Sequence, residues 1–300
     1  MSTVEVSHVA KTFGSVRAVE DVSFSLGAGE LFGMLGPNGA GKTTTIRMML
    51  DIFKPDRGQI AVLGGPMDEA KQDRIGYMPE ERGLYQDVAL ERCLIYLGSL
   101  KGLPAGEVRA RAGGYLERFD LAAHKHKKVK ELSKGMQQKA QIIATILHRP
   151  ELLIIDEPFA GLDPLNTQLV KDVLRELRAQ GTTILMSAHQ MNLVEELCDR
   201  IVLIDRGNTV LYGDLNEIRR RFTGDAVNVR AVGELPALDG VERVEAHNGA
   251  MRLTLAQGAA AQDVLRQLVA HDVTLEQFEI AVPTLDEIFI RVVSGDKAAQ

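Results

Sequence analysis

The chain opens on two runs in which apolar and polar residues alternate, Val4 to Val9 and Ala18 to Leu26, the period of strands buried on one face. "GAGE" supplies a turn between Leu26 and Leu31. The pattern then changes to short unbroken apolar runs: "ELFGML" (30–35), "IGYMP" (75–79), "ELLIIDEP" (151–158), "TTILMSAH" (182–189) and "RIVLID" (200–205). These predict strands covered on both faces. Between them apolar positions recur every three or four residues. That spacing predicts a helix from near Lys42, helices around 165–180 and 190–198, and two more in "VALERCLIYLGSLKG" and "PAGEVRARAGGYLERF". The alternation predicts an α/β fold with a mostly parallel sheet, preceded by antiparallel β structure and interrupted by a helical lobe at about 87–145.

A second domain is expected from about 223 to 300, after a first domain over 1–222. "EIRRRF" (217–222) closes a helix that Asp214 would cap, with Arg219, Arg220 and Arg221 at its C-terminal end. Beyond it the pattern reads strand, strand, strand, helix, strand, helix, a small α+β module without a cluster of chemical residues. Leu253, Leu255, Leu265, Leu268, Phe278 and Phe289 are expected to build its core.

Composition narrows the classes. Hydrophobic residues make up 45% and charged residues 25% of 300, which excludes general disorder. The balance of 35 basic against 41 acidic residues gives −6, so no overall positive field draws the chain to nucleic acid or anionic lipid. Cys93 and Cys198 stand far apart without CxxC spacing, and are read as buried small hydrophobes of a reducing compartment. No run approaches the roughly 18 apolar residues of a membrane span and no basic-then-apolar start is evident. A cytoplasmic location is expected, with any membrane role supplied by a partner. "HKHKKVK" (124–130) reads as a solvated loop, since His124 and His126 lack further metal ligands nearby.

The chemistry begins at "GPNGAGKTT" (36–44). Gly36, then four residues, then Gly41, Lys42 and Thr43 is the phosphate-loop spacing, lying after a strand and before a helix as the motif requires. Gly36, Gly39 and Gly41 allow backbone N–H groups to turn around a polyphosphate, with Asn38 and Thr44 in the same loop. Lys42 would reach the β- and γ-phosphates, and the Thr43 hydroxyl would ligate Mg²⁺. "LLIIDEP" supplies a second anchor: Asp156 would hold Mg²⁺ at the carboxyl end of a buried strand, and Glu157 would polarise the attacking water as general base. Taken alone, the acid pair reads better as a strand-end cap.

With "LSKGMQQK" (132–139) shortly before the acidic strand, residues 1–220 resemble an ATP-binding-cassette (ABC) ATPase. The resemblance implies ATP and Mg²⁺ as ligands. It makes Ser133 and Gly135 the signature that faces the ATP of a second chain, so that two copies, a homodimer by expectation, sandwich two nucleotides. It makes Asp163 of "FAGLDP" a coupling residue between the two sites, His189 of "SAHQ" the switch histidine that donates to the γ-phosphate, and Phe13 of "KTFG" the ring stacked on adenine. Glu80 falls where the family usually has a glutamine on the loop that senses the membrane subunit, and is expected as a metal-side or water-side ligand, with Glu81 and Arg82 facing that subunit. A helical lobe without a span implies a separate ATPase subunit, held at the cytoplasmic face of the cell membrane by an integral permease. The "EERGLY" neighbourhood and the tail ending "PTLDEIFIRVV" resemble ATPases of sodium and drug exporters. A soluble ABC ATPase of ribosomes or DNA is the alternative, but the doubled cassettes and long coiled coils of those members are absent and no nucleic-acid partner is expected.

Overall fold

The computed structural model describes residues 2–81, 83–223, 226–247, 249–256 and 258–294. Two compact units divide at Gly213 and Asp214. In the first, β1 (Ser2–Phe13) and β2 (Val16–Gly27) pair antiparallel and turn Val4, Val6, Val22 and Phe24 inward, as the alternation predicts. Next come β3 (Leu31–Leu35), α1 (Lys42–Met49) and β4 (Arg57–Val62), then a single turn α2 (Glu69–Gln72) and β5 (Ile75–Met78). The helical lobe holds α3 (Leu90–Leu100), α4 (Ala105–Arg118) and α5 (Lys134–Ile146). β6 (Leu152–Asp156), α6 (Pro164–Ala179), β7 (Thr183–Ala188), α7 (Met191–Leu197), β8 (Arg200–Asp205) and β9 (Asn208–Asp214) complete the unit.

Among the described residues the sheet runs β4-β1-β2-β9-β8-β3-β7-β6-β5. From β8 to β5 neighbouring strands are parallel, and at the other edge β4, β1 and β2 are antiparallel. β3, β6 and β7 are buried at every residue, which is why their sequences read as apolar runs rather than alternation. Phe24 of the hairpin stacks on Phe32 of β3 at 5.5 Å, tying the two parts of the sheet into one core. The carboxyl ends of β3 and β6 therefore emerge from rigid strands, where open α/β sheets place their ligands.

Two strands have no counterpart in the sequence reading. β4 is an edge strand with three exposed residues and a glycine, and β9 is half-buried throughout, so neither shows a clean period. They form because β1 and the β2 to β8 side of the sheet offer ladder partners.

The second unit contains α8 (Leu215–Arg221), β10 (Ala226–Ala231), β11 (Val241–His247), β12 (Ala250–Leu255), α9 (Ala261–Ala270), β13 (Leu275–Ile280) and α10 (Leu285–Ser294). Asp214 caps α8 by accepting the Glu217 N–H at 3.0 Å. The strands form an antiparallel sheet in the order β11-β12-β10-β13. Leu253, Leu255 and Leu268 lie in its core with Val227, Val229 and Val264, and Phe278 packs at the margin. Leu265 and Phe289 are only half-buried, because α9 buries Val264 and Leu268 and α10 buries Leu285 and Ile288 instead. Cys93 and Cys198 are buried free thiols, both pushed up by burial. Among the described residues no helix is long and apolar enough to cross a membrane.

Candidate active site

The loop between β3 and α1 is built from backbone conformations that require glycine. Gly36 has φ 147°, and a Cβ there would lie 2.1 Å from the Ile204 carbonyl oxygen. Gly41, the residue before α1, has φ 107° and no room against the Ala18 carbonyl at 2.6 Å. No side chain caps α1, so its first N–H groups are left for an anion. In contrast, α5 is capped by Ser133, which accepts the Met136 N–H at 3.3 Å, and α6 by Asp163, which accepts the Asn166 N–H at 2.9 Å.

Lys42 is 7% exposed, and its ammonium folds back to donate to the carbonyls of Gly36 (2.7 Å) and Pro37 (3.2 Å). Burial lowers its pKa, opposed by the charges of Glu157, Asp156 and Glu80. Thr43 donates its hydroxyl to one oxygen of Asp156 at 2.9 Å, and Ser187 of β7 donates to the other. Three elements, α1, β6 and β7, thus converge on a carboxylate only 1% exposed. Hydroxyl and carboxylate oxygens are hard donors that suit Mg²⁺. Among the described residues no group of three or more His, Cys, Asp or Glu forms a cage, so the fit is to an ion that takes few protein ligands and completes its shell from phosphates and water.

Glu157 follows Asp156 with φ 54°, a left-handed conformation that turns it out of the strand. Its N–H is held at Ser187, 3.2 Å from Oγ. His189 Nδ1 meets Glu157 Oε2 at 2.9 Å, so the ring faces the carboxylate across the end of β7. Burial pushes the Glu157 carboxyl up, against the downward pull of the His189 hydrogen bond and the charges of His189 and Lys42. A carboxylate held up in this way is a better proton acceptor.

These groups open on a cavity of about 360 Å³ lined by Asn38, Gly39, Lys42, Thr43 and Thr44, with Glu80, Asp156 and Glu157 on its wall. Exposed Glu80 therefore shares a wall with both acids of β6. Gly36, Ser133, Gly135, Asp163 and Phe13 are not among the lining residues, and neither is His189, which meets the cavity wall through Glu157. The Gly135 backbone approaches that of Gly161, where a Cβ would come 3.4 Å from the carbonyl oxygen, so the signature and the "FAGLDP" loop lie together. Hydrogen bonds from the Asn166 N–H and side chain hold the Asp163 carboxyl below its usual range. Phe13 ends β1, is 41% exposed and packs edge-on against Phe53 at 5.1 Å. Arg82 lies outside the described residues. Ser187, Gln138 and Gln141 were not singled out from the sequence, although Ser187 lies two residues before His189 in "SAH" and Gln138 lies within "LSKGMQQK".

Residues 19–160 match the family described as ABC transporter, and residues 213–293 match "ATP-binding protein DrrA1-3-like, C-terminal domain". The chain is 40% identical over 294 residues to the "Uncharacterized ABC transporter ATP-binding protein YhaQ" of Bacillus subtilis (strain 168), covering 97% of this chain and 98% of the relative. It is 32% identical over 322 residues to the daunorubicin resistance ATP-binding protein DrrA3 of Streptomyces coeruleorubidus, covering 99% and 97%. A solved ATP-binding subunit of an ABC transporter is similar at a TM-score of 0.69 and 34% identity, over 73% of this chain and 93% of that one. The chain belongs to the ABC transporter ATP-binding proteins, a family that hydrolyses ATP, and carries the α/β phosphate-loop core of that family followed by a small α+β domain. It is an ATP-driven transport subunit.

Proposed function

We propose that the chain is the Mg²⁺-dependent ATPase of an exporter, working as a head-to-tail pair of copies beneath an integral membrane permease. The observation that carries this is the convergence of Thr43, Asp156, Glu157 and His189 beside the uncapped start of α1. Lys42, released from the Gly36 and Pro37 carbonyls, meets the β- and γ-phosphates, and the α1 N–H groups cradle them with Gly39 and Gly41. Thr43 and Asp156 hold Mg²⁺, which when bound neutralises phosphate charge. Glu157 takes a proton from the attacking water, while His189 orients it and offers its other ring nitrogen to the γ-phosphate. Phe13 stacks on adenine, Thr44 and Asn38 complete the phosphate contacts, and Glu80 serves the metal or water side.

The pairing is supported by Ser133 and Gly135, which lie outside the cavity around Lys42; the Ser133 cap takes one N–H of α5, that of Met136, and leaves other donors of that helix start for the nucleotide of another copy. Asp163, beside that signature, couples the two sites. The permease is supported by an apolar surface after the Glu80 loop. Tyr85 and Tyr96 are half-exposed and pack edge-to-face at 5.4 Å, with Leu100 58% exposed one turn along α3. Export is supported by the daunorubicin resistance relative. Location follows from the partner: cytoplasmic, peripheral on the membrane.

The test is the Glu157→Gln chain with ATP on size-exclusion chromatography, followed by affinity purification from solubilised membranes. A dimer and an integral membrane protein are expected. A monomer would remove the sandwich, and ribosomes in place of a membrane protein would remove the transporter.

A further inference from the structure

The sheet stops holding the two acidic walls of the site just before the acids begin. The β5 to β6 ladder ends at Met78 and Ile155, and the β6 to β7 ladder ends at Asp156 and Ser187. The carbonyls that follow, on Pro79, Glu81, Glu157 and Pro158, have left the ladder and need donors from elsewhere. One helix supplies them. Gln141 of α5 donates its amide to Pro79 O at 2.9 Å and to Glu81 O at 3.2 Å, the two carbonyls that flank Glu80. Gln138, three residues earlier and on the same face, donates to Glu157 O at 3.3 Å and Pro158 O at 3.2 Å. Both glutamines are buried, at 4% and 7% exposure.

We infer that Gln141 is a positioning residue which, with Gln138, fixes the separation of Glu80 and Glu157 across the nucleotide cavity. This rests on the roles given above to those two carboxylates. The chemistry is specific to a carboxamide, because its two N–H groups can satisfy two carbonyls at once, whereas an apolar side chain of the same length satisfies neither. Since both bonds go to main chain on either side of Glu80, they set the carboxylate's place without touching it. The other atom of the amide, Gln141 Oε1, is buried without a hydrogen-bond partner among the described residues. That orphan costs free energy, and the side chain stays polar because its donors are in use. The same helix begins at Ser133, so a push on the Glu80 loop reaches the signature through one rigid body.

Four full-length proteins test this: Gln141→Met, Glu80→Ala, the two combined, and Thr145→Val as control. Thr145, one turn along α5, is also buried and polar, but its hydroxyl donates to the Gln141 carbonyl within the helix. Gln141→Met is expected to lower kcat about 10- to 100-fold with KM for ATP within about twofold. A nitroxide on Glu81→Cys, an exposed position, should gain mobility about twofold with Gln141→Met and none with Thr145→Val, the native Cys93 and Cys198 being buried. In the Glu80→Ala background, adding Gln141→Met should lower kcat no further. Unchanged nitroxide mobility at position 81, or losses that multiply in the double variant, would overturn the inference. Wild-type turnover in Glu80→Ala alone would remove the role of Glu80, leaving mobility to judge the clamp.

Discussion

Among the described residues, every buried charged or amide side chain belongs to the first unit, including Lys42, Gln138, Gln141 and Asp156. The second unit buries Val227, Val229, Leu253, Val264 and Leu268 in a core of aliphatic side chains. Burying a polar group is unfavourable unless its hydrogen bonds are replaced, so a fold keeps such groups where they hold something in place. In the first unit each has that use: Lys42 spans its loop, Asp156 gathers two hydroxyls, and the α5 glutamines hold loops the sheet has released. Among the described residues, the core of the second unit carries no such group.

The contrast can be broken most sharply at Glu157. Glu157→Gln should lower ATP turnover by about 10²- to 10⁴-fold with ATP affinity retained, the signature of a lost general base, in a steady-state assay paired with equilibrium binding. Leu268→Ala should do the reverse. It is expected to cost about 2–5 kcal/mol in denaturant unfolding while ATP affinity stays within about twofold. A large loss of affinity would mean that the second unit shapes the site.

A third case lies between these two. His148, half-buried after α5, bonds the Ile75 carbonyl through Nε2 at 3.2 Å, and its Nδ1 has no partner among the described residues. Burial, and then the charge of Lys101, lowers its pKa from 6.5 to about 4. Between those values the unfolded chain binds more protons, so stability falls as pH falls from 6.5 to 4, by up to about 3 kcal/mol before solvent screening. His148→Gln should flatten that part of the profile in urea titrations. The smallest effect concerns Glu157 again. Its raised pKa should put the acid limb of kcat above the 4.5 usual for glutamate, because turnover needs the ionised form. A limb at or below 4.5 would mean that a different group titrates.

The phosphate loop, Asp156 and Glu157 were legible because their spacing is dictated by the ligand and their strands by full burial. Element order in the second unit was legible for a different reason: its strands and helices are short and well separated by turns. Gln138 and Gln141 were not legible. In a helix, apolar period marks the buried face, so a polar residue is read as solvated; these two are buried because carbonyls distant in sequence meet them. β4 and β9 were missed through the same blindness to partners, since β4 at the sheet edge and β9 between β2 and β8 gain their order from neighbours rather than from their own pattern. The pairing of His189 with Glu157 also lies beyond sequence, which suggests only that each lies at a strand end.

The uncapped start of α1 has a consequence for timing. Its donors are main-chain N–H groups, which only a change to proline removes. On the proposed reading they meet the triphosphate and the diphosphate left after cleavage alike, so affinity for the spent nucleotide would lie in the backbone. Departure of product, not arrival of fuel, would then be the step left to the side-chain contacts around it.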